Sequence, residues 1–322
     1  MQRPVLLLLV LCLLTGCASD KSADDTVQIA VIPKGTTHQF WKSIHAGANK
    51  AGEEKGVEII WQGPQKEDDR QLQIQVVQNF ISRGIDAIVL APLDARSLAQ
   101  PVEAAVKRGI PVIIIDSGLE SEAHTSFVAT DNYQGGVLAA ERLNDVLGGE
   151  GNILMMRYQE GSASTANREA GFLERIKEVA PGLNILSDNQ YAGATIEKAL
   201  QTAQNLLNRY PEVDGIFCPN ESSLQGMLRA LQTAGRAGEV KLVGFDANET
   251  LIAGMREGHI DGLAVQDPFI MAYTGVNTAV AVVQGETVEA RINTRVMMIT
   301  PENMDTAEAQ DLLKPDLARW LD

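Results

Sequence analysis

The segment from Val213 to Pro268 carries three short apolar runs: V-D-G-I-F-C-P-N-E (213–221), V-K-L-V-G-F-D-A-N (240–248) and I-D-G-L-A-V-Q-D-P (260–268). Each stops abruptly at a polar side chain: Asn220, Asp246 and Gln266. Between them lie Ser222 to Thr233 and Thr250 to Glu257, with apolar residues at helical spacing. Strand, helix, strand, helix, strand is the pattern of a parallel sheet covered by helices. Ligands of such sheets bind beyond the carboxyl ends of the strands. Two amides and a carboxylate delivered there suit a ligand rich in hydroxyl groups, since each exchanges one or two hydrogen bonds with a hydroxyl. The same side chains also cap helices and close turns. Three in succession favour a binding cleft.

The same rhythm runs upstream. Apolar strands are expected at Val27 to Pro33, Val57 to Trp61, Ile85 to Ala91 and Val112 to Ile115, the last ending on Asp116, with a further one at His124 to Ala129. Helices are expected at Lys42–Lys55, Asp69–Arg83, Ser97–Lys107 and Tyr133–Leu147. Beyond them, a strand at Asn152 to Arg157, a helix to about Val179 carrying Arg168, a weak strand at Ile185 to Asp188 and a helix at Thr195 to Arg209 lead into the opening segment. A helix at Ile270 to Val283, a strand near Arg295 to Ile299 and a short terminal helix complete the chain. With 322 residues, two domains are the natural expectation.

The excess of 42 acidic over 27 basic residues, a net charge of −15, argues against a nucleic-acid partner, whose phosphates need a basic surface. The sequence holds no G-x-x-x-x-G-K-[ST], G-x-S-x-G or H-E-x-x-H, and its four histidines are scattered singly, so no enzyme, cofactor or metal site is expected. Gly148 to Gly151 follows a helix and precedes a strand, the reverse of a dinucleotide fingerprint.

At the start, Arg3 precedes the apolar run Val5 to Leu14, which is too short to span a bilayer. It ends in Leu14-Thr15-Gly16-Cys17, which resembles the lipobox of bacterial lipoproteins. That resemblance implies a signal peptide over 1–16, lipid on Cys17 and a tether over 17–26. Cys218 is then the one cysteine of the folded part, read as a small buried hydrophobe.

Taken together, Phe40-Trp41, I-I-I-D ending at Asp116, A-T-D-N at 129–132, S-T-A-N-R-E-A-G-F around Arg168, F-C-P-N-E with Asn220, V-G-F-D with Asp246 and A-V-Q-D-P with Gln266 resemble the periplasmic sugar-binding proteins of ABC importers, type I fold, in the ribose-binding branch. The resemblance spans roughly Val27 to Ile299. It implies two similar doubly wound α/β domains, 27–130 plus 267–291 and 131–266 plus 292–322, joined by three crossings near Asp131, Gln266 and Arg291. A sugar would lie between them, with Phe40 and Trp41 against its C–H faces and Asp116, Asn220, Asp246, Gln266 and Arg168 on its hydroxyls. Three departures stand out: Ser117 where the ribose binder has arginine, Ala194 in place of a stacking phenylalanine, and Lys34 and His38 in the first loop. They imply a wider and more basic pocket, for a larger sugar or one carrying an anionic or modified group. The implied protein is a monomeric solute-binding lipoprotein, anchored to a bacterial membrane on its periplasmic or outer face, that serves an ABC permease. The alternatives are a receptor for a chemotaxis or sensor-kinase partner, or an enzyme acting on a sugar. A repressor with the same fold would begin with a helix-turn-helix module, and no such module precedes Val27.

Overall fold

A computed structural model describes residues 26–321. Chain order starts with β1 (Gln28–Ile32), α1 (Gln39–Lys55), β2 (Glu58–Trp61), α2 (Arg70–Arg83), β3 (Ala87–Leu90), α3 (Ala99–Lys107), β4 (Val112–Ile115) and β5 (Ser126–Thr130). It continues with α4 (Asn132–Leu147), β6 (Glu150–Arg157), α5 (Ala163–Val179), β7 (Gly182–Tyr191), α6 (Ile196–Arg209), β8 (Gly215–Cys218), α7 (Glu221–Thr233), β9 (Lys241–Phe245), α8 (Glu249–Arg256) and β10 (Gly262–Gln266). Then come α9 (Pro268–Val283), β11 (Arg291–Thr294), β12 (Val296–Ile299), α10 (Ala307–Leu313) and α11 (Ala318–Leu321).

The strands form two six-stranded sheets, ordered β11-β5-β4-β3-β1-β2 and β12-β10-β9-β8-β6-β7. The orders correspond position by position, so β4 and β9 occupy equivalent places in the two lobes. Every pairing is parallel except β10 with β12, which closes the second sheet antiparallel. Each sheet is buried on both faces: the first between clusters around Trp41, Ile44 and Met271 on one side and Phe80, Leu98 and Val102 on the other. The second lies between clusters around Leu206, Met227 and Leu251 and around Leu143, Phe172 and Phe217. Burial on both faces explains why the strands read as continuous apolar runs rather than alternating ones. Cys218 is fully buried in the second lobe, and burial pushes its thiol well above the ordinary range.

Close helix packing depends on glycine at two sites. A Cβ on Gly136 of α4 would lie 2.0 Å from the Arg168 carbonyl oxygen, and one on Gly171 of α5 would lie 2.1 Å from that of Tyr133. Bare backbone lets α4 and α5 touch and sets the height of Arg168 over the sheet.

The chain passes between lobes after Thr130, after Gln266 and at Arg295. The last differs from the Arg291 expected from sequence, because residues 291–294 form β11 on the edge of the first sheet and only Val296 onward joins the second. The three crossings are laced together. Thr130 Oγ1 donates to Gln266 Oε1 at 2.8 Å and lies 3.2 Å from Thr294 Oγ1, while Arg295 Nε donates to Asp267 at 3.1 Å.

The tail also departs from expectation. Its first helix, α10, packs Ala309, Leu312 and Leu313 into the second lobe, but the chain then returns. Helix α11 rests on α1 of the first lobe, where Asn49 Nδ2 donates to the Trp320 carbonyl at 2.7 Å and Lys50 approaches the Trp320 ring. The chain therefore crosses four times, not three. The expected lipidation site, Cys17, and the signal and tether segments lie outside the described residues.

Candidate functional site

Between the carboxyl ends of the two sheets lies a small cavity of about 30 Å³. Its walls include Lys34, His38, Phe40 and Asp116 from the first lobe, Arg168, Asn220 and Asp246 from the second, and Gln266 at a crossing. Eight of the ten residues singled out from sequence thus meet in one place. Trp41 and Ser117 are not among the lining residues.

The two aspartates have the most distinctive backbone. Asp116 follows β4 and Asp246 follows β9, with φ of 63° and 70°, the two non-glycine residues with positive φ among those described. Left-handed backbone is costly for a side chain bearing a Cβ, and Asp is one of the few residues that tolerate it. In each case the strand's last amide is satisfied by the neighbouring strand: Asp116 N donates to Val128 O at 3.1 Å, and Asp246 N to Ala264 O at 3.0 Å. The kink that follows aims both carboxylates into the space between the lobes. Local strain held by a surrounding sheet is a mark of functional sites.

Each charged group has a distinct set of partners. Lys34 Nζ lies 2.7 Å from Asp116 Oδ2 and donates to Ser164 Oγ of the other lobe at 3.1 Å. The ion pair lacks hydrogen-bond alignment, so Asp116 Oδ2 keeps its acceptor capacity while buried. Arg168 donates from Nε to Asn132 Oδ1 (2.8 Å) and from Nη1 to the Pro219 carbonyl (2.9 Å), and its guanidinium lies 3.7 Å from the Phe245 ring centre. Asp246 accepts from Gln266 Nε2 at 2.7 Å and from the Glu221 amide at 3.2 Å, with Arg168 Nη1 at 3.8 Å. Burial raises the Asp246 carboxyl to about 6 against the opposing pull of Arg168 and the Gln266 hydrogen bond.

A second cluster was not legible in the sequence. Glu67, buried at the edge of the cavity, accepts from His38 Nδ1 (2.6 Å), Trp41 Nε1 (2.9 Å) and Tyr158 OH of the other lobe (2.7 Å). Burial alone would raise this carboxyl, but the His38 hydrogen bond and charge outweigh it and hold it at about 2. Burial likewise opposes the charge on His38, and Glu67 overrides it, raising the imidazole to about 9. Glu67 sits in the polar stretch Q-K-E-D-D-R (65–70), where a carboxylate has no sequence mark separating it from its exposed neighbours. Tyr158, three residues from Gly161, has as little to distinguish it.

Several expectations change in this light. Phe40 and Trp41 belong to α1, which starts at Gln39 rather than Lys42. Phe40 lines the cavity, whereas Trp41 turns into the first lobe's apolar cluster with its indole N–H on Glu67. Ser117 faces the other lobe, accepting from the Ser164 amide at 3.1 Å. Asn220 lines the cavity, yet its Oδ1 caps α7 through Ser223, so the helix-cap reading holds for it and not for Asp246 or Gln266. Lys34 and His38 do face inward, but each already has a carboxylate partner. The wall they form is neutralised rather than basic, which removes the ground for an anionic ligand.

Bonds between the lobes surround the cavity. Glu221, at the start of α7, accepts from the Gln39 and Phe40 amides at 3.3 and 3.1 Å, satisfying the first donors of α1 that His38 leaves uncapped. Gln159 Nε2 donates to the Glu67 carbonyl at 2.9 Å, and Ala95 N to Gly161 O at 2.9 Å. The arrangement can surround a small polar molecule with oriented donors and acceptors from both sides. Among the described residues, no group of three or more His, Cys, Asp or Glu side chains is disposed to hold a metal ion.

Residues 29–287 match the periplasmic binding protein domain. A D-ribose/D-allose-binding protein of Pseudomonas aeruginosa is 30% identical over 302 residues, which span 88% of this chain and 92% of that one. Among solved structures, a carbohydrate transporter solute-binding protein of Agrobacterium radiobacter in complex with D-arabinose superposes with a TM-score of 0.87 at 35% identity, covering 90% of this chain and 100% of that one. An ABC transporter solute-binding protein of Agrobacterium vitis with bound D-fucose gives 0.86 at 36% identity, covering 89% and 99%.

Proposed function

This chain belongs to the periplasmic binding protein family, in its ribose-binding branch, and on that footing we propose that it captures a neutral monosaccharide between its lobes and delivers it to an ABC permease. The observation that carries this reading is the pair of left-handed aspartates, Asp116 and Asp246, on equivalent strands of opposite sheets and lining one cavity. Neither lobe alone supplies a complete set of partners. A hydroxyl-rich ring that binds both carboxylates therefore favours the closed arrangement over an open one by its differential affinity. A permease contacting both lobes reads that closure as occupancy.

The ligand's neutrality follows from the pairing. Lys34 is matched by Asp116, His38 by Glu67 and Arg168 by Asp246, so an added anion would find no uncompensated cation at the cavity wall. Phe40 offers one apolar face to a ring's C–H groups. No step requires catalysis. Export and lipid on Cys17 are part of the same proposal. A Cys17→Ser variant is expected to lose the membrane fraction and accumulate as precursor, and a variant still processed and membrane-bound ends that part of it.

Mass spectrometry of small molecules released from protein purified without refolding tests the main reading, together with calorimetric titration against D-ribose, D-allose, D-arabinose and D-fucose. A co-purified neutral sugar, or one member of the panel bound with a measurable Kd, is expected. Protein that releases none and binds none rejects the reading.

A further inference from the structure

Two residues of the cavity wall, His38 and Glu221, also line a second space. On their outer side lies a groove of about 420 Å³, against about 30 Å³ within. The groove is built by both lobes. Thr37 and Lys42 stand on one side and Thr195, Gln225 and Thr250 on the other, with Ala194 adding only a methyl group.

The charges of the groove are balanced. Lys42, Lys66 and His38 face Glu197, Glu221 and Glu249. The carboxylate of Glu221 is held by the Gln39 and Phe40 amides and by Asn248 Nδ2 at 3.0 Å, and Asn248 Nδ2 also donates to Gln225 Oε1 at 3.1 Å. An anionic guest would meet three carboxylates, and a cationic guest three cations. Hydroxyl groups suit both sets. A third space shares Phe40, Asp246 and Gln266 with the cavity, but Val265, Pro268, Leu312, Leu313 and Pro315 make much of its wall apolar, which disfavours a sugar there.

Resting on the sugar reading above, we propose that the site continues past His38 and Glu221 into an outer subsite for a neutral polar substituent, so that the protein takes a glycoside or disaccharide with one ring in the cavity and the second in the groove. Together the two spaces, of about 420 and 30 Å³, fall within the range usual for small-ligand sites. The second ring bridges Thr37 and Lys42 of one lobe to Gln225 and Thr250 of the other, adding contacts that exist only when the lobes are together.

The test is calorimetric titration of the full protein with two sets of probes. The first is free D-ribose, D-allose, D-arabinose and D-fucose. The second is disaccharides carrying one of these rings with a glucosyl group on each hydroxyl in turn. Thr37→Trp and Thr250→Trp, both exposed and on opposite walls, fill the groove without touching the cavity. At least one disaccharide is expected to bind tenfold or more tighter than its free ring. Each Trp variant, with an unchanged unfolding transition, should erase that gain and leave the monosaccharide Kd within twofold. Monosaccharides that bind while no disaccharide binds tighter overturn the subsite and leave the sugar reading intact. A tighter disaccharide indifferent to both Trp variants overturns its placement in the groove. Binding of no sugar of either size overturns both.

Discussion

Gln266 Nε2 donates to Asp246 Oδ1 at 2.7 Å while Gln266 Oε1 accepts from Thr130 at the first crossing, so the cavity-lining carboxylate is tied through one side chain to the passage between the lobes. Burial raises Asp246 to about 6, above its usual 3.8. Protonation is favoured by the folded protein, and that advantage is complete below pH 3.8 and lost as pH rises through 6. Sugar hydroxyls donate to the ionised form, so affinity is expected to fall as pH drops through 6, by up to tenfold per unit. Asp246→Asn, which tolerates the same backbone, should bind about tenfold more weakly at pH 7.5 and lose the pH dependence. Titration calorimetry at pH 5 and 7.5 measures both, and an unaltered Kd in the variant removes Asp246 from the site.

The hinge itself is open to test through Thr130. Thr130→Val keeps the shape but removes the hydroxyl that donates to Gln266 Oε1 and lies 3.2 Å from Thr294 Oγ1. One buried acceptor is left unsatisfied, at a cost of about 1–3 kcal/mol. Solution X-ray scattering should show the wild-type radius of gyration shrinking when a bound sugar is added and the variant needing more sugar for the same change. Identical profiles with and without saturating ligand would contradict closure.

The His38–Glu67 pair predicts a pH profile of stability. His38 is raised from 6.5 to about 9, so its contribution is full below 6.5 and fades as pH rises through 9. Glu67 is lowered from 4.5 to about 2, so its contribution is full above 4.5 and fades as pH falls through 2. Both shifts report one interaction and are not additive. Thermal melts from pH 4 to 10 should show a decline between pH 7 and 10 that Glu67→Gln abolishes. A variant with the wild-type alkaline slope assigns that slope to other groups.

Gly136→Ala places a methyl group where the Arg168 carbonyl now sits. Separating α4 from α5 is expected to cost about 1–3 kcal/mol and to shift Arg168 away from Asp246. Denaturant unfolding should register the first effect and a weakened sugar Kd the second. Full stability and affinity would show that the helices part without consequence.

Most strands were legible because burial on two faces leaves continuous apolar runs, and the ends of α1, α2 and α4 because Gly56, Gly84 and Gly148 stop them in left-handed backbone. The start of α1 was not, because its cap is Glu221, 181 residues away from Phe40 in the chain. Strand β11, R-I-N-T, is too polar to announce itself; it exists because it pairs with β5 at a sheet edge. In the site, residues at strand ends were legible by position. Glu67 and Tyr158 were not, since only the meeting of two lobes makes a buried carboxylate of one and its donor of the other.

Because α11 returns to α1, the described chain begins and finishes on the same lobe, and in connectivity the second lobe is carried by the first as two insertions, of which 131–266 is the longer. Probes attached near Thr26 and Leu321 would ride on one rigid body, and the distance between them would stay constant through the ligand cycle. Were the amino terminus held at a surface, as proposed for Cys17, the first lobe would be the stator and the second the part that swings. A fluorophore pair meant to report sugar capture therefore needs one partner inside the longer insertion, on an exposed site such as Tyr191, rather than at the chain's extremities.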